Sequence, residues 1–487
     1  MNVRSGDDIV GIEEHEVDVV VVGSGGGGGP AALELGLAGL DVLVLEAGPL
    51  VRPEQLTQRS LDTARRFYVD RGAQETVDGN VLVLQGSCVG GSTVLNGEVC
   101  FRIPDAVLEE WARDFGVRGL DAATLAPVFE EVERRIHATT DGGRNLGGAT
   151  HVLPGFAKLG LEAKPVLRNV EGCRGCQYCF FGCAWGCKQS VDRSYLPGAI
   201  DAGVRVISDA RVERLDMVGA RAAGVTARTK HGTLRVRAKA VVLACGAIAT
   251  PLMLLDHGLG GADVGRHLAL HPICAPLGLF DDDAEVGTAM IGAYTDAYLS
   301  EGFLLETFSL PLDYLATVLP GIGAEHQVLA REARRYSGIA IIARDTGSLG
   351  RVTRGRSGKK EIHWALDGAT DGKIRRGIRR VAEIHFAAGA HKVLLPSFEV
   401  VEVRSASELD AVDRLKLGPG YLTFGSYHPQ GTARLGAVTD MDARVTGTDN
   451  LYVMDTSLFP SPAGVNTQVA VMAVATVMAR RLATHMA

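Results

Sequence analysis

The sequence predicts an α/β chain of two interleaved domains, one wound around a parallel sheet and one built on a largely antiparallel sheet. Three observations carry this. A β-branched run, Val17 to Val22, leads through a glycine-rich turn into a helix and a second strand. Later runs, Val204 to Ile207, Leu234 to Val236 and Val241 to Leu243, read as strands returning to the same sheet. Between these and the C-terminal segment, residues 266 to about 418 lack any βα rhythm. The 487 residues suffice for two domain-sized cores.

The first unit can be justified residue by residue. Val17 to Val22 has the β-branched character of a buried parallel strand. It runs into Gly23-Ser24-Gly25-Gly26-Gly27-Gly28-Gly29-Pro30, and Ala31 to Ala38 then reads as helix with Pro30 in its first turn. Gly39 and Leu40 turn the chain, Asp41 to Leu45 forms the next strand, and Glu46 ends it. A strand, glycine turn, helix, strand and acid in this order is the Rossmann-like dinucleotide fingerprint. Gly23 permits the tight turn, Gly25 lets backbone approach a pyrophosphate, and Gly28 lets helix and strand pack closely. The helix N-terminus offers free N–H groups to phosphates, and Glu46 can accept hydrogen bonds from a ribose diol. A flexible linker would also be glycine-rich, but it would not be flanked by strands and a placed acid. The unit alone leaves FAD and NAD both open.

Composition narrows the class. Hydrophobic residues make up 46% of the chain, charged residues 22%, and the net charge is -7. This is a globular balance, and no basic stripe exists for nucleic acid. The acidic N-terminus lacks the apolar stretch of a signal peptide. The longest apolar run, Val469 to Ala479, stops at Arg480 and Arg481, is too short to span a bilayer, and predicts a buried helix with no transmembrane segment. The expected location is cytoplasmic, where thiols stay reduced.

Three further stretches resemble one family. Gly86-Ser87-Cys88-Val89-Gly90-Gly91-Ser92-Thr93-Val94-Leu95-Asn96 is similar to the first signature of the glucose–methanol–choline (GMC) flavoprotein oxidoreductases. Gly246 to Leu254, ending Gly258-Leu259-Gly260, resembles the second. His428-Pro429-Gln430-Gly431-Thr432, Asn450 to Ser457 and Gly464-Val465-Asn466 resemble the C-terminal catalytic segment. Ser87, His257 and Thr467 depart from the usual pattern. The resemblance implies FAD as the dinucleotide. It places Gly90, Gly91, Ser92 and Asn96 at the cofactor, Val212 against the adenine through its backbone, and Asp455 near the phosphates. It makes His428 and Asn466 the catalytic pair: His428 takes the hydroxyl proton and Asn466 holds the substrate oxygen, while hydride leaves for the flavin N5. Histidine suits the proton step because its ordinary pKa lies near working pH. His267 and His271, just after the second signature, read more readily as structural histidines.

The remaining elements follow from pattern. Residues 105 to 136 read as helical and cap the flavin domain. In the middle, Tyr336 to Ala343 and Glu361 to Ala365 read as strands, and Lys373 to Ala388 reads as an amphipathic helix closed by Gly389. The expected division is a flavin domain in three parts (1–104, 195–265 and 419–487), a cap with the cysteine-rich loop (105–194) and a substrate domain (266–418).

That loop, GCRGCQYCFFGCAWGCKQS, holds five of the nine cysteines. Cys173-x2-Cys176-x2-Cys179-x3-Cys183 has the ferredoxin spacing without its proline, and Cys187 follows. The expectation is an iron–sulfur cluster, [4Fe–4S] ahead of [3Fe–4S], on Cys173, Cys176 and Cys179 with Cys183 or Cys187. Zinc is the weaker alternative because its ligand pairs usually sit farther apart. A cluster beside FAD implies a dehydrogenase that oxidises an alcohol or sugar hydroxyl and passes electrons to a carrier protein or quinone. An O₂-using oxidase with a zinc-bound or structural loop, and a non-catalytic redox sensor, remain as alternatives.

Overall fold

The computed structural model describes residues 2–140, 149–284, 289–347 and 350–487. The parallel sheet has eight strands centred on Val10–Val22. Val42–Leu45 pairs with it in parallel on one side and His231–Leu243 on the other. Arg205–Ser208 and then Arg4–Ser5 extend the sheet beyond Val42–Leu45, and Leu451–Val453 joins His231–Leu243, all in parallel. Arg221–Arg228 and Arg211–Val218 complete it in antiparallel fashion. Val19, Val20 and Val21 are fully buried, as a strand covered on both faces requires.

Two strands are longer than their apolar runs. The first begins at Val10 rather than Val17, and its first half, rich in glutamate, is largely exposed. It pairs in register with His231 onward. Ladder hydrogen bonds come from the backbone, so a charged stretch can form them while its side chains face water. His231–Leu243 merges the two expected runs into one strand, because exposed Arg235, Arg237 and Lys239 alternate with buried Leu234, Val236 and Ala238.

The second sheet has ten strands. Tyr336–Ala343, wholly buried and bounded as expected, lies inside it. It pairs antiparallel with Phe303–Phe308, Leu277–Leu279 and Ile273–Cys274. Phe424–Ser426 and Val81–Val83 meet in parallel. These two strands come from the flanking segments, so the interleaving is built into the sheet itself. The expected strand 361–365 is Lys360–His363, and it belongs to a separate three-stranded sheet with Arg266–Leu268 and Gly350–Arg354.

The helix Gly368–Ala388 starts earlier than its apolar pattern. Asp367 caps it by accepting from the Thr370 N–H at 3.0 Å, and Gly389 closes it with φ 105°. The helical stretch 105–136 is two helices, Asp105–Phe115 and Ala122–Arg135, separated at left-handed Gly116.

The C-terminal apolar run does not end at Arg480. The helix spans Gln468–Met486, 19 residues, and by length and composition it could cross a membrane. Its apolar residues are instead buried in the first core, against Gly28–Leu37. Arg480 leaves the helix surface to pair with Glu34 at 2.8 Å and Glu131 at 2.7 Å.

Candidate functional site

The carboxyl end of Val10–Val22 delivers Gly23 into a turn that only glycine fits. Its φ is 101°, and a Cβ there would lie 2.4 Å from the Ala244 oxygen. Ser24 follows and acts as a node. Its hydroxyl donates to Glu46 at 2.7 Å and accepts from the Gly90 N–H at 3.0 Å. Glu46 also accepts from the Ser24 N–H and, at 2.9 Å, from the Gly48 N–H. Burial pushes the Glu46 carboxyl up, opposed by these donors. The first and second glycine loops therefore touch: a Cβ on Gly91 would lie 2.9 Å from the Gly25 Cα.

Asp455 is a bracket between segments. One oxygen accepts from the Gly246 N–H at 2.9 Å and the Thr250 hydroxyl at 2.6 Å. The other accepts from the Ser457 N–H at 2.8 Å. It thereby ties the second signature helix, Gly246–Asp256, to the C-terminal segment. His257, at the end of that helix, is structural: its Nε2 accepts from the Leu215 N–H at 3.1 Å.

These residues line one cavity of about 1790 Å³. Gly23, Gly25, Glu46, Gly91, Ser92, Asn96, Val212, Asp455, His428 and Asn466 all face it. Gly28 and Gly90 do not line it. Gly28 serves packing, since a Cβ there would meet the Gly23 oxygen at 1.9 Å, and Gly90 turns the loop with φ 92°. Asn96 spends its side chain on Gln468 and on the Glu98 N–H. The volume exceeds the roughly 300–1,000 Å³ of an ordinary small-ligand pocket. It has room for a dinucleotide and a substrate together. The turns at Gly23 and Gly91, which a Cβ would crowd, and the lining that includes both Val212 and Asn466 fit FAD.

At the far end, His428 follows the strand Phe424–Ser426 and Asn466 precedes the C-terminal helix. Gln430 holds the two segments together. Its Nε2 donates to the His428 carbonyl at 3.1 Å and contacts His271 Nε2 at 3.1 Å, while its Oε1 accepts from the Ala463 N–H at 2.9 Å. His271 Nε2 also accepts from the Gly464 N–H at 3.1 Å. His271 thus braces the Asn466 turn, and its ring stands edge-on to His428 at 5.5 Å. Burial holds His428 down to about 4, so it is a neutral, proton-accepting imidazole at ordinary pH. His428 Nδ1 and Asn466 Oδ1 are buried with no protein partner.

Gln430 and Glu306 are neighbours of the pair that the sequence did not single out, and His271, read there as a structural histidine, braces the Asn466 turn. Gln430 sits inside the quoted His428 motif, which is the signal that was available. Glu306 lies on a strand of the second sheet, far away in the chain.

The five clustered cysteines do come together. Cys173, Cys176, Cys179, Cys183 and Cys187 line one small cavity of about 10 Å³ with Glu98 and Trp185, room for about one water molecule. All five are free thiols. The expected metal centre is not formed: among the described residues no group of three or more His, Cys, Asp or Glu side chains is arranged to hold a metal ion. Backbone hydrogen bonds engage the sulfurs instead. Cys187 Sγ donates to the Gly172 carbonyl at 3.1 Å, and Cys183 Sγ accepts from the Cys187 N–H at 3.2 Å.

The loop is nevertheless built into the large cavity. Phe180, next to Cys179, lines that cavity and stacks on Tyr427 at 4.7 Å, one residue before His428. Lys188 is 2% exposed and donates to the carbonyls of Val94, Asn96 and Cys179 at 3.0, 2.8 and 2.7 Å. One ammonium group thereby joins the cysteine loop to the first signature loop.

A glycine-turned dinucleotide site ending at a buried, neutral histidine and an asparagine defines an oxidoreductase. The chain belongs to the GMC oxidoreductase family. Its N-terminal family model matches residues 64–273 and its C-terminal one residues 347–475. A GMC-type oxidoreductase of Mycobacterium tuberculosis is 37% identical over 95% of this chain and 75% of its own length. A long-chain-alcohol oxidase of Arabidopsis thaliana is 29% identical over 96% of this chain and 68% of its own. The pyridoxine 4-oxidase structure from Mesorbium loti superposes with a TM-score of 0.72 at 20% identity, covering 95% of this chain and 98% of that one. FAD is the dinucleotide that this family membership supports.

Proposed function

We propose that this protein oxidises a lipophilic primary alcohol to the aldehyde, with His428 as the base. The observation that carries this is the buried pair itself: a neutral imidazole and an amide with open hydrogen-bonding atoms, both facing one cavity. His428 takes the hydroxyl proton and Asn466 fixes the substrate oxygen. Bound FAD supplies the acceptor for the hydrogen that leaves carbon. The lipophilic substrate follows from the wall beyond the pair, where Leu277, Phe308, Leu310, Leu315, Leu319 and Leu394 line the cavity. The named activity of the Arabidopsis relative points the same way. A sugar would leave its hydroxyls unpaired against such a wall.

The test is anaerobic single-turnover reduction of the flavin by 1-dodecanol. His428→Ala should keep its flavin and lose roughly 10²–10⁴-fold in reduction rate, the usual contribution of a general base. Reduction at the wild-type rate in that variant would remove His428 from the role.

The cysteine loop supports a second reading, about where the electrons go. An iron–sulfur cluster on Cys173, Cys176 and Cys179, with Cys183 or Cys187, would pass them singly to a carrier protein or quinone. What favours it is the convergence of five thiols on one cavity, in a loop that also lends Phe180 to the large cavity. Anaerobically purified protein should then contain iron and acid-labile sulfide. Zinc without iron, or no metal together with stoichiometric peroxide from the alcohol in air, would instead assign the electrons to O₂.

A further inference from the structure

Beside the large cavity lies a second one of about 260 Å³. It is smaller than the roughly 300–1,000 Å³ that a whole small ligand fills, so it suits the end of a molecule rather than a second molecule. The two cavities share a wall: Leu277, Phe308, Leu310 and Leu315 line both. One row of residues across the second sheet shapes that wall. Phe308 pairs in register with Gly338, and Gly338 with Leu277. A Cβ on Gly338 would lie 2.4 Å from the Phe308 ring, so the ring takes the place of the missing side chain. Glycine weakens the interior of a strand, and this close approach explains its place here.

Leu312, Ala333 and Tyr336 line the second cavity and not the large one. The cysteine loop adds Cys176, Gln177 and Tyr178. Among the described residues no charged side chain lines this space. A hydrocarbon end can be buried there, whereas a carboxylate would lose its water without meeting an opposite charge. Left empty, the space forfeits contacts, since protein interiors hold few voids larger than a water molecule. The other route for a tail leads past Val318 and Ile322, which also line the large cavity and are 50% and 92% exposed. A tail lying there stays in water and gains little.

We propose that the second cavity is the tail site of the alcohol. With the hydroxyl at His428 and Asn466, the hydrocarbon follows the aliphatic wall, crosses it beside Phe308 and ends among Leu312, Ala333 and Tyr336. The substrate class sharpens to an unbranched alcohol long enough to cross the shared wall, with an uncharged far end. This rests on the reading of His428 and Asn466 as the alcohol site.

The experiment has two arms on the flavin-loaded protein. The first measures the half-saturating concentration for anaerobic flavin reduction by 1-octanol, by 1-hexadecanol and by the hexadecanol chain ending in a carboxylate. In wild type it should fall at least about tenfold from 1-octanol to 1-hexadecanol, the effect of about two more buried methylenes. The carboxylate chain should lose about tenfold or more against 1-hexadecanol. Leu312→Trp fills the second cavity from an exposed position and should erase the gain of 1-hexadecanol over 1-octanol. A gain that survives in that variant, or a carboxylate chain that binds as well as 1-hexadecanol, overturns the tail site. The second arm needs no turnover. Wild-type crystals soaked with 1-hexadecanol brominated on its last carbon should show the bromine, by anomalous scattering, in the second cavity. Bromine beside Val318 and Ile322, or none in the second cavity, overturns the tail site. If no alcohol reduces the flavin, the alcohol reading falls, and the bromine position decides the tail site alone.

Discussion

The two ends of the large cavity treat buried polar groups in opposite ways. At the glycine end, Glu46 accepts from Ser24 and Gly48, and Asp455 accepts from Gly246, Thr250 and Ser457. At the His428 end, His271 Nδ1, Glu306 Oε1, His428 Nδ1 and Asn466 Oδ1 all lack a protein partner. The difference separates architecture from chemistry. A carboxylate that joins two segments must be saturated, because each missing partner leaves a buried donor unsatisfied. A group that handles a substrate proton must keep a lone pair or N–H free.

The largest expected effect comes from removing an open group. Asn466→Ala should slow flavin reduction by about 10²–10³-fold, the scale of losing one oriented donor. Flavin content should be unchanged, since Asn466 closes no part of the framework. Loss of bound flavin in that variant would erase the distinction between the ends. The saturated end should respond in the reverse manner. Asp455→Asn sets an N–H₂ against the existing donors and should lower unfolding stability by roughly 2–3 kcal/mol, with reduced flavin content. The residual bound fraction should still be reduced at the wild-type rate. A stable, fully loaded Asp455→Asn protein with slow reduction would move Asp455 into the chemistry.

The smallest effect is a pH dependence of stability. Between the ordinary carboxylate value of 4.5 and about 8, folded Glu306 keeps a proton that the unfolded chain has lost. Wild-type stability therefore falls as pH rises through that window and levels off above it. Glu306→Gln should be more stable than wild type at about pH 8.5, with the gap closing toward pH 4.5. His428 works in the other direction: its lowered value means stability is lost as pH falls from 6.5 toward 4, in both proteins alike. Chemical denaturation at several pH values separates the two.

The cysteine loop teaches the same lesson from the sequence side. Its spacing correctly brought five thiols to one place, because short x2 and x3 intervals force neighbouring sulfurs together. Spacing cannot say whether the sulfurs point inward as a ligand set or bond the backbone, as Cys183 and Cys187 do. The charged strands show the converse failure. Val10 to Glu16 and the Arg237–Ala240 stretch lie outside the expected strands, yet their backbones pair along the ladder.

By itself, the sequence determined what depends on neighbours in the chain: the Gly23 turn, the helix behind it, the Tyr336–Ala343 strand and the Gly389 stop. Backbone conformation and short-range hydrogen bonds set these, and both leave a residue signature. Only the tertiary structure decided that Gln430 and His271 brace the pair, that Lys188 joins the cysteine loop to the flavin loop, and that Glu306 lines the same cavity as Asn466. Those contacts bring together segments up to 193 residues apart, as His271 and Gly464 are, and the burial that neutralises His428 and Glu306 exists only once two sheets have closed over them.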